Sequence, residues 1–275
     1  MRIGLIGLGM MGTKMATRLL TTGHKISVYN RDIAKTKPFA KTNTTILNTP
    51  RDIAFNCEVI LISVTDFDAV KEVCFGENGI VTADRKHLII ANSSTISPEH
   101  SRYCSEQFRQ KEIDLIGMPV MGGPSVAEKG ELVSIVAGPE KAFIKIKSVI
   151  DKLAKSVFYI GEDIGSANVV KLALNLNIAL MASAISEGIT LVKAANIDPQ
   201  IFIKIINSTY FKTGLSENKG PKMIRNDFEP SFYLRNMLKD LELATSTSQS
   251  LGYLYLFVRL HRISTGQQIT WDIHN

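Results

Sequence analysis

Gly7, Gly9 and Gly12 stand directly after an apolar run from Ile3 to Ile6, in the spacing Gly-x-Gly-x-x-Gly. Behind them Met11, Met15, Ala16, Leu19 and Leu20 recur at helical intervals, so the glycines mark a strand-to-helix turn. Each has a distinct use there. Gly7 permits a tight turn, Gly9 lets the backbone approach a pyrophosphate, and Gly12 lets the helix pack close to the strand. The phosphates of a dinucleotide would then rest on the free amides and positive end of the helix. Leu8, Met10 and Met11 complete the cofactor-binding loop.

A second strand, Lys25 to Tyr29, should end beside the adenosine ribose. Proteins selective for NAD place an acidic residue at that point to bind the ribose hydroxyls. Here it holds Asn30 and Arg31, which suit a 2′-phosphate. NADP(H) is therefore the expected cofactor, with NAD(H) as the alternative. The rival reading makes the glycines a structural turn and Arg31 a solvated surface charge, with Asp32 one residue on.

At 275 residues the chain can form one large domain or two ordinary ones. With 45% apolar and 21% charged residues it has the balance of a soluble globular protein. The net charge of +6 is scattered rather than gathered into a tract with interleaved aromatics, which argues against nucleic-acid binding. Cys57, Cys74 and Cys104 have no framework spacing and read as reduced intracellular thiols. No metal spacing exists among the cysteines and histidines. The first strand begins at the amino terminus, so no cleavable signal peptide is expected. Val169 to Ala195 is the most hydrophobic stretch, but it carries Lys171, Asn175, Asn177, Glu187 and Lys193. A buried helix of a soluble, cytoplasmic protein is expected there, not a membrane span.

Up to about residue 160, apolar β-branched runs alternate with amphipathic segments. Strands are expected at Ile3 to Ile6, Lys25 to Tyr29, Val59 to Ser63, Leu88 to Ala91, Ile113 to Ile116, Leu132 to Ala137 and Val157 to Tyr159. Helices should begin near Met10, Asp32, Thr49, Phe67, Ser97 and Glu140. This alternation implies an α/β domain, a parallel sheet wrapped on both faces. Beyond Gly161 the pattern turns helical: one long helix from Ile164 to Ala195, another from Asp198, a break at Asn218 to Pro221, and a last helix from Ser231 to Ser250. The expected fold is a doubly wound N-terminal domain (1–162) followed by an all-α C-terminal domain (163–275), joined by the long helix.

Three segments have the makings of a reaction site. Ser94 and Thr95 follow a strand, at the sheet end where ligands bind, and their hydroxyls can reach nicotinamide or substrate. A plain helix-capping loop is the alternative. Met121, Gly122 and Gly123 follow another strand, and adjacent glycine amides can take a carboxylate, with a tight connection needing positive φ as the rival. Lys171 and Asn175, four apart on the long helix, share one face among apolar neighbours. Burial lowers a lysine's pKa toward neutrality and suits it to proton transfer, the alternative being a snorkelling lysine with a capped asparagine. Lys239 and Asp240 are adjacent charges on the last helix, a pattern usually solvated.

As an ordered set these motifs resemble the β-hydroxyacid dehydrogenase family, which includes 3-hydroxyisobutyrate dehydrogenases and the tartronate, glyoxylate and succinic semialdehyde reductases. The set is Gly7 to Gly12 with Gly23-His24 and Asn30-Arg31; Ser94 to Pro98; Pro119 to Gly123; Gly165 through Lys171 to Asn175; and Lys239 to Ala244. The resemblance implies that Lys171 is the general acid/base and that Asn175 orients the substrate. It implies that Gly122 and Gly123 bind the substrate carboxylate and that Val64, Thr65 and Thr95 line the cofactor cleft. Lys239 would close over the cofactor from the helical domain. It further implies oxidation of a small 3-hydroxy acid, or reduction of its semialdehyde, in a homodimer or homotetramer. A glyoxylate or succinic semialdehyde reductase and a non-catalytic dinucleotide-binding protein are the alternatives. Two departures stand out: Met121 replaces the serine common in the family, and the chain after Gly252 is short and atypical.

Overall fold

The structure, a computed structural model, describes residues 1–253. The atypical segment 254–275 lies outside the described residues. Six parallel strands form the main sheet: β1 (Ile3–Ile6), β2 (Ile26–Tyr29), β3 (Thr44–Ile46), β4 (Val59–Ile62), β5 (Ile89–Asn92) and β6 (Asp114–Gly117), in the spatial order β3-β2-β1-β4-β5-β6. Strand residues alternate between two cores. Ile3, Leu5, Val59, Leu61, Ile89 and Ala91 pack on one face with α1 (Met10–Thr21) and α6 (Glu140–Leu153). Ile6, Ile60, Ile62 and Ile90 pack on the other with α2 (Pro50–Asn56), α3 (Phe67–Phe75) and α4 (Pro98–Arg109). Burial on both faces is why these strands read as continuous apolar runs rather than alternating ones.

The expected single sheet needs correction. β8 (Leu132–Val136) and β9 (Ala154–Tyr159) leave the main sheet and pair in parallel with each other, while the short β7 (Val120–Met121) pairs antiparallel with β8. Mutual bonds between Gly117 and Ala137, at 2.9 and 3.0 Å, stitch this second sheet to the end of β6. Between β7 and β8, a short helix, α5 (Pro124–Lys129), starts from Gly123. Near Asp32 the structure holds a 3-10 turn, Ile33–Phe39, instead of an α-helix. Pro38 inside it has no N–H to donate and fixes its own φ, which disfavours continuing an α-helix through it.

The C-terminal part is built from α7 (Gly165–Ala194), α8 (Pro199–Asn207), α9 (Gly214–Arg225) and α10 (Leu234–Ser250), with no strand beyond residue 159 among the described residues. The expected break at Asn218 to Pro221 is instead the middle of α9. Thr213 and Ser216 cap its start reciprocally, each hydroxyl taking the other's amide at 2.9 Å. Gly220 lies against Ile203 of α8, closely enough that a Cβ would meet its Cδ1 at 2.7 Å. Tertiary packing here outweighs the local cost of Pro221.

α7 is long and apolar enough to cross a membrane by length and composition. It is less buried than expected: only seven of its thirty residues are buried, and Val170, Leu180, Met181 and Leu191 are exposed. Its first half is the buried half, held between α4 and α10. Arg102 of α4 pins the entry to α7, donating to both oxygens of Asp163 at 2.8 and 2.7 Å and holding that carboxyl down at about 2.

Candidate active site

The pairing register brings the carboxyl ends of five strands level. Ile6 stands opposite Tyr29 and Ile62, Ile62 opposite Asn92, and Asn92 opposite Gly117. The loops leaving those ends therefore converge along one edge, and the candidate residues lie on them.

The glycine loop comes first. Gly7 has φ +97°, and a Cβ on it would lie 2.3 Å from the carbonyl oxygen of Ser63 at the end of β4. A Cβ on Gly12 would lie 1.9 Å from the Gly7 carbonyl oxygen, so α1 approaches the turn as closely as only glycine allows. Gly9 is different: a Cβ there would meet nothing within 4 Å. Gly9 is exposed and caps α1 without a side chain, and the first turn carries no acidic residue. The amides at the start of α1, from Met10 and Met11 onward, thus face an open cradle of positive potential that fits a pyrophosphate. Leu8 is buried, and its amide donates to Asn30 Oδ1 at 2.8 Å.

Asn30 has both ends engaged, since its Nδ2 also donates to the Asp32 carbonyl at 2.8 Å. It ties the glycine loop to β2. Arg31 beside it is exposed, and no carboxylate occupies the end of β2. The loop after β2 therefore presents the exposed Arg31 beside the exposed Asp32.

Next along the edge, the Val64 amide donates to the hydroxyl oxygen of Ser94 at 3.0 Å, while the Ser94 amide donates to Asn92 Oδ1 at 3.0 Å. Ser94 is buried, and its contact joins the loops after β4 and β5. Thr65 is exposed at the mouth. The Thr95 carbonyl accepts from Lys239 Nζ at 2.6 Å, a bond that spans from the α/β part to α10. Gly122, with φ +123°, is exposed in the loop between β7 and α5, and Gly123 follows at the cap of that helix.

Lys171 is partly buried. Its Nζ donates to Asn175 Oδ1 at 3.1 Å and to the Met121 sulfur at 3.2 Å. Neither acceptor carries a charge, and a thioether is a weak acceptor. Burial lowers the pKa of Lys171 to about 8, partly opposed by Asp240 and assisted by Lys239. Asn175 is buried, and its Nδ2 donates to Asp240 Oδ2 at 2.6 Å.

Asp240, expected as one of two solvated charges on the last helix, is buried instead. It is 2% exposed and forms an ion pair with Lys239 at 2.8 Å, where a solvated pair was expected. The structure thus joins Met121, Lys171, Asn175, Asp240, Lys239 and Thr95 in one polar chain. Thr95 adjoins Ser94, Ser94 holds Val64, and the neighbouring Ser63 abuts Gly7. The cysteines offer no rival nucleophile: all three are free and buried, with Cys104 pushed up to about 12 by desolvation. Among the described residues no cluster could hold a metal ion.

Comparison with known proteins now decides the family. Residues 2–161 match the NAD binding domain of 6-phosphogluconate dehydrogenase, and residues 165–262 match the NAD-binding domain of NADP-dependent 3-hydroxyisobutyrate dehydrogenase. The chain belongs to the β-hydroxyacid dehydrogenase family. It is 31% identical to 2-hydroxy-3-oxopropionate reductase of Escherichia coli over 92% of this chain and 86% of that one. To the chloroplastic glyoxylate/succinic semialdehyde reductase 2 of Arabidopsis thaliana it is 27% identical, over 91% of this chain and 70% of that one. The fold matches the crystal structure of a 3-hydroxyisobutyrate dehydrogenase from Salmonella typhimurium with a TM-score of 0.86, at 22% identity, covering 96% and 93% of the two chains. The chain is therefore an oxidoreductase that uses a nicotinamide dinucleotide.

Proposed function

We propose that the protein interconverts a small 3-hydroxy carboxylic acid and its semialdehyde with NADP(H), using Lys171 as general acid/base. The observation that carries this reading is the partly buried Lys171 ammonium, whose hydrogen bonds go to the neutral Asn175 and Met121. Nicotinamide, when bound, supplies or accepts the hydride at the carbinol carbon. Lys171 handles the proton at the oxygen on that carbon. As an ammonium it donates to the developing alkoxide during reduction, and as a neutral amine it takes the hydroxyl proton during oxidation. A pKa of about 8 leaves both forms accessible near neutral pH. The amides of Gly122 and Gly123 hold the substrate carboxylate and so fix the reacting carbon, which is where much of the rate gain from a bound geometry originates.

Met121 gives this pocket a thioether with no hydrogen to donate, so the carboxylate relies on the glycine amides. The similarity to 2-hydroxy-3-oxopropionate and glyoxylate/succinic semialdehyde reductases supports a short aldehyde acid as substrate. A panel of 3-hydroxyisobutyrate, its semialdehyde, glyoxylate, succinic semialdehyde and tartronate semialdehyde, followed by absorbance of the reduced nicotinamide, tests the reading. Turnover of none of them would refute it.

For the cofactor, the support is Arg31 exposed at the end of β2, where Asn30 is spent on backbone. Arg31→Ala should weaken NADPH by about tenfold or more, the loss of one charge-assisted phosphate contact, and leave NADH within about twofold. Equal losses for both cofactors would sink the phosphate assignment.

A further inference from the structure

Between Lys171 and the carboxylate nearest to it stands an amide. Asn175 Oδ1 accepts from Lys171 at 3.1 Å, and Asn175 Nδ2 donates to Asp240 Oδ2 at 2.6 Å. Both residues are sealed from solvent, at 3% and 2% exposure. An ionised carboxylate only accepts hydrogen bonds, whereas an amide can present either end. Asp240 can therefore meet only the NH2 end of Asn175, which turns the carbonyl end toward the ammonium. With a neutral amide in its place, Asn175 is free to rotate by half a turn and set N–H groups against Lys171. The other Asp240 oxygen lies 2.8 Å from Lys239 Nζ, which also holds the Thr95 carbonyl.

We infer that Asp240 is a positioning residue for the acid/base: its acceptor-only carboxylate fixes the Asn175 amide, and its charge, balanced by Lys239, sets the field at Lys171. This rests on the reading of Lys171 as the acid/base. The charges bearing on Lys171 come from α10, with Asp240 favouring the ammonium and Lys239 disfavouring it. From β7 the contact is the uncharged Met121. From α4, Ser101 accepts from Asn168 and Arg102 pairs with Asp163, both nearer the start of α7. The two neighbours thus act on Lys171 with opposite signs, a signature that loosened packing would not mimic.

The test reads Lys171 directly in the cofactor-free protein. Competitive acetylation across a pH series, with the Lys171 peptide followed by mass spectrometry, gives its titration midpoint. Asp240→Asn should move the midpoint to lower pH by about one unit, and Lys239→Met should move it to higher pH by about half a unit. The pH limb of kcat/KM should move the same way in each variant. A midpoint unmoved in a folded Asp240→Asn protein, or shifts of the same sign in both variants, would overturn the inference. Should Asp240→Asn fail to fold, a Lys239→Met midpoint that does not rise is enough to overturn it. Loss of the acid/base reading is separable, because it would show as turnover surviving in Lys171→Ala whatever the labelling midpoints do.

Discussion

Lys171→Ala is expected to lower kcat by about a thousandfold or more, in the upper range for loss of a positioned general acid/base. The affinity for NADPH should stay within about threefold, because the loops proposed to hold the cofactor are others. Removing the side chain also leaves Asn175 and Asp240 as a buried pair with one acceptor unfilled, so some loss of stability accompanies it. The comparison that isolates chemistry is therefore kcat at saturating cofactor and substrate, with NADPH binding measured by fluorescence titration on the same sample. Turnover within about tenfold of the parent would remove Lys171 from the proton-transfer step.

The second large effect concerns the glycine loop, where two neighbouring glycines should behave in opposite ways. Gly12→Ala drives a Cβ to 1.9 Å from the Gly7 carbonyl oxygen, a backbone atom that cannot swing aside. Relief requires α1 to back away from β1, opening a core that includes Met15 and Leu19. The expected destabilisation is about 3 kcal/mol or more, toward the upper end for overpacking. That corresponds to a fall of about 10 °C in Tm for a chain of this size. Gly9→Ala meets nothing within 4 Å, so its Tm should move by less than about 2 °C. Its methyl group instead enters the space proposed for the pyrophosphate, and cofactor affinity should fall by about tenfold or more. Calorimetry and NADPH titration on the two variants check the contrast. A Gly12→Ala protein as stable as the parent would contradict the close packing described here.

The contrast also shows what was legible in the sequence. The glycine turn is a local object: an apolar run, three glycines and a helical stripe lie within twenty residues, and the structure repeats that order from β1 to α1. Lys171 and Asn175 were legible for a similar reason, since a spacing of four on a helix places them together without help from elsewhere. Asp240 was not. Its burial depends on α10 docking against α7, where its partner Asn175 lies 65 residues earlier. The adjacent charges Lys239 and Asp240 carry no sign of that in their own neighbourhood.

The second sheet was hidden by the same non-locality. Leu132 to Val136 looks like another strand of the main sheet, and only its pairing with β7 and β9 assigns it elsewhere. Pro221 misled in the other direction, because a strong local breaker is overruled by packing of Gly220 on Ile203. Asn30 lay between these cases. Its position at the end of β2 was legible, but its bond to the Leu8 amide, which makes it a tether for the glycine loop, required the fold.

The central claim is that a partly buried lysine with a lowered pKa carries the proton, and the pH dependence of kcat/KM tests it most directly. In the reducing direction the ammonium is the active form, so activity is full below the folded pKa of about 8 and is lost as pH rises through it. In the oxidising direction the neutral amine is active, and the limb is reversed. The account predicts two mirror-image limbs that cross near pH 8, each changing about tenfold per pH unit beyond the midpoint. Profiles flat from pH 7 to about 10 in both directions would contradict it.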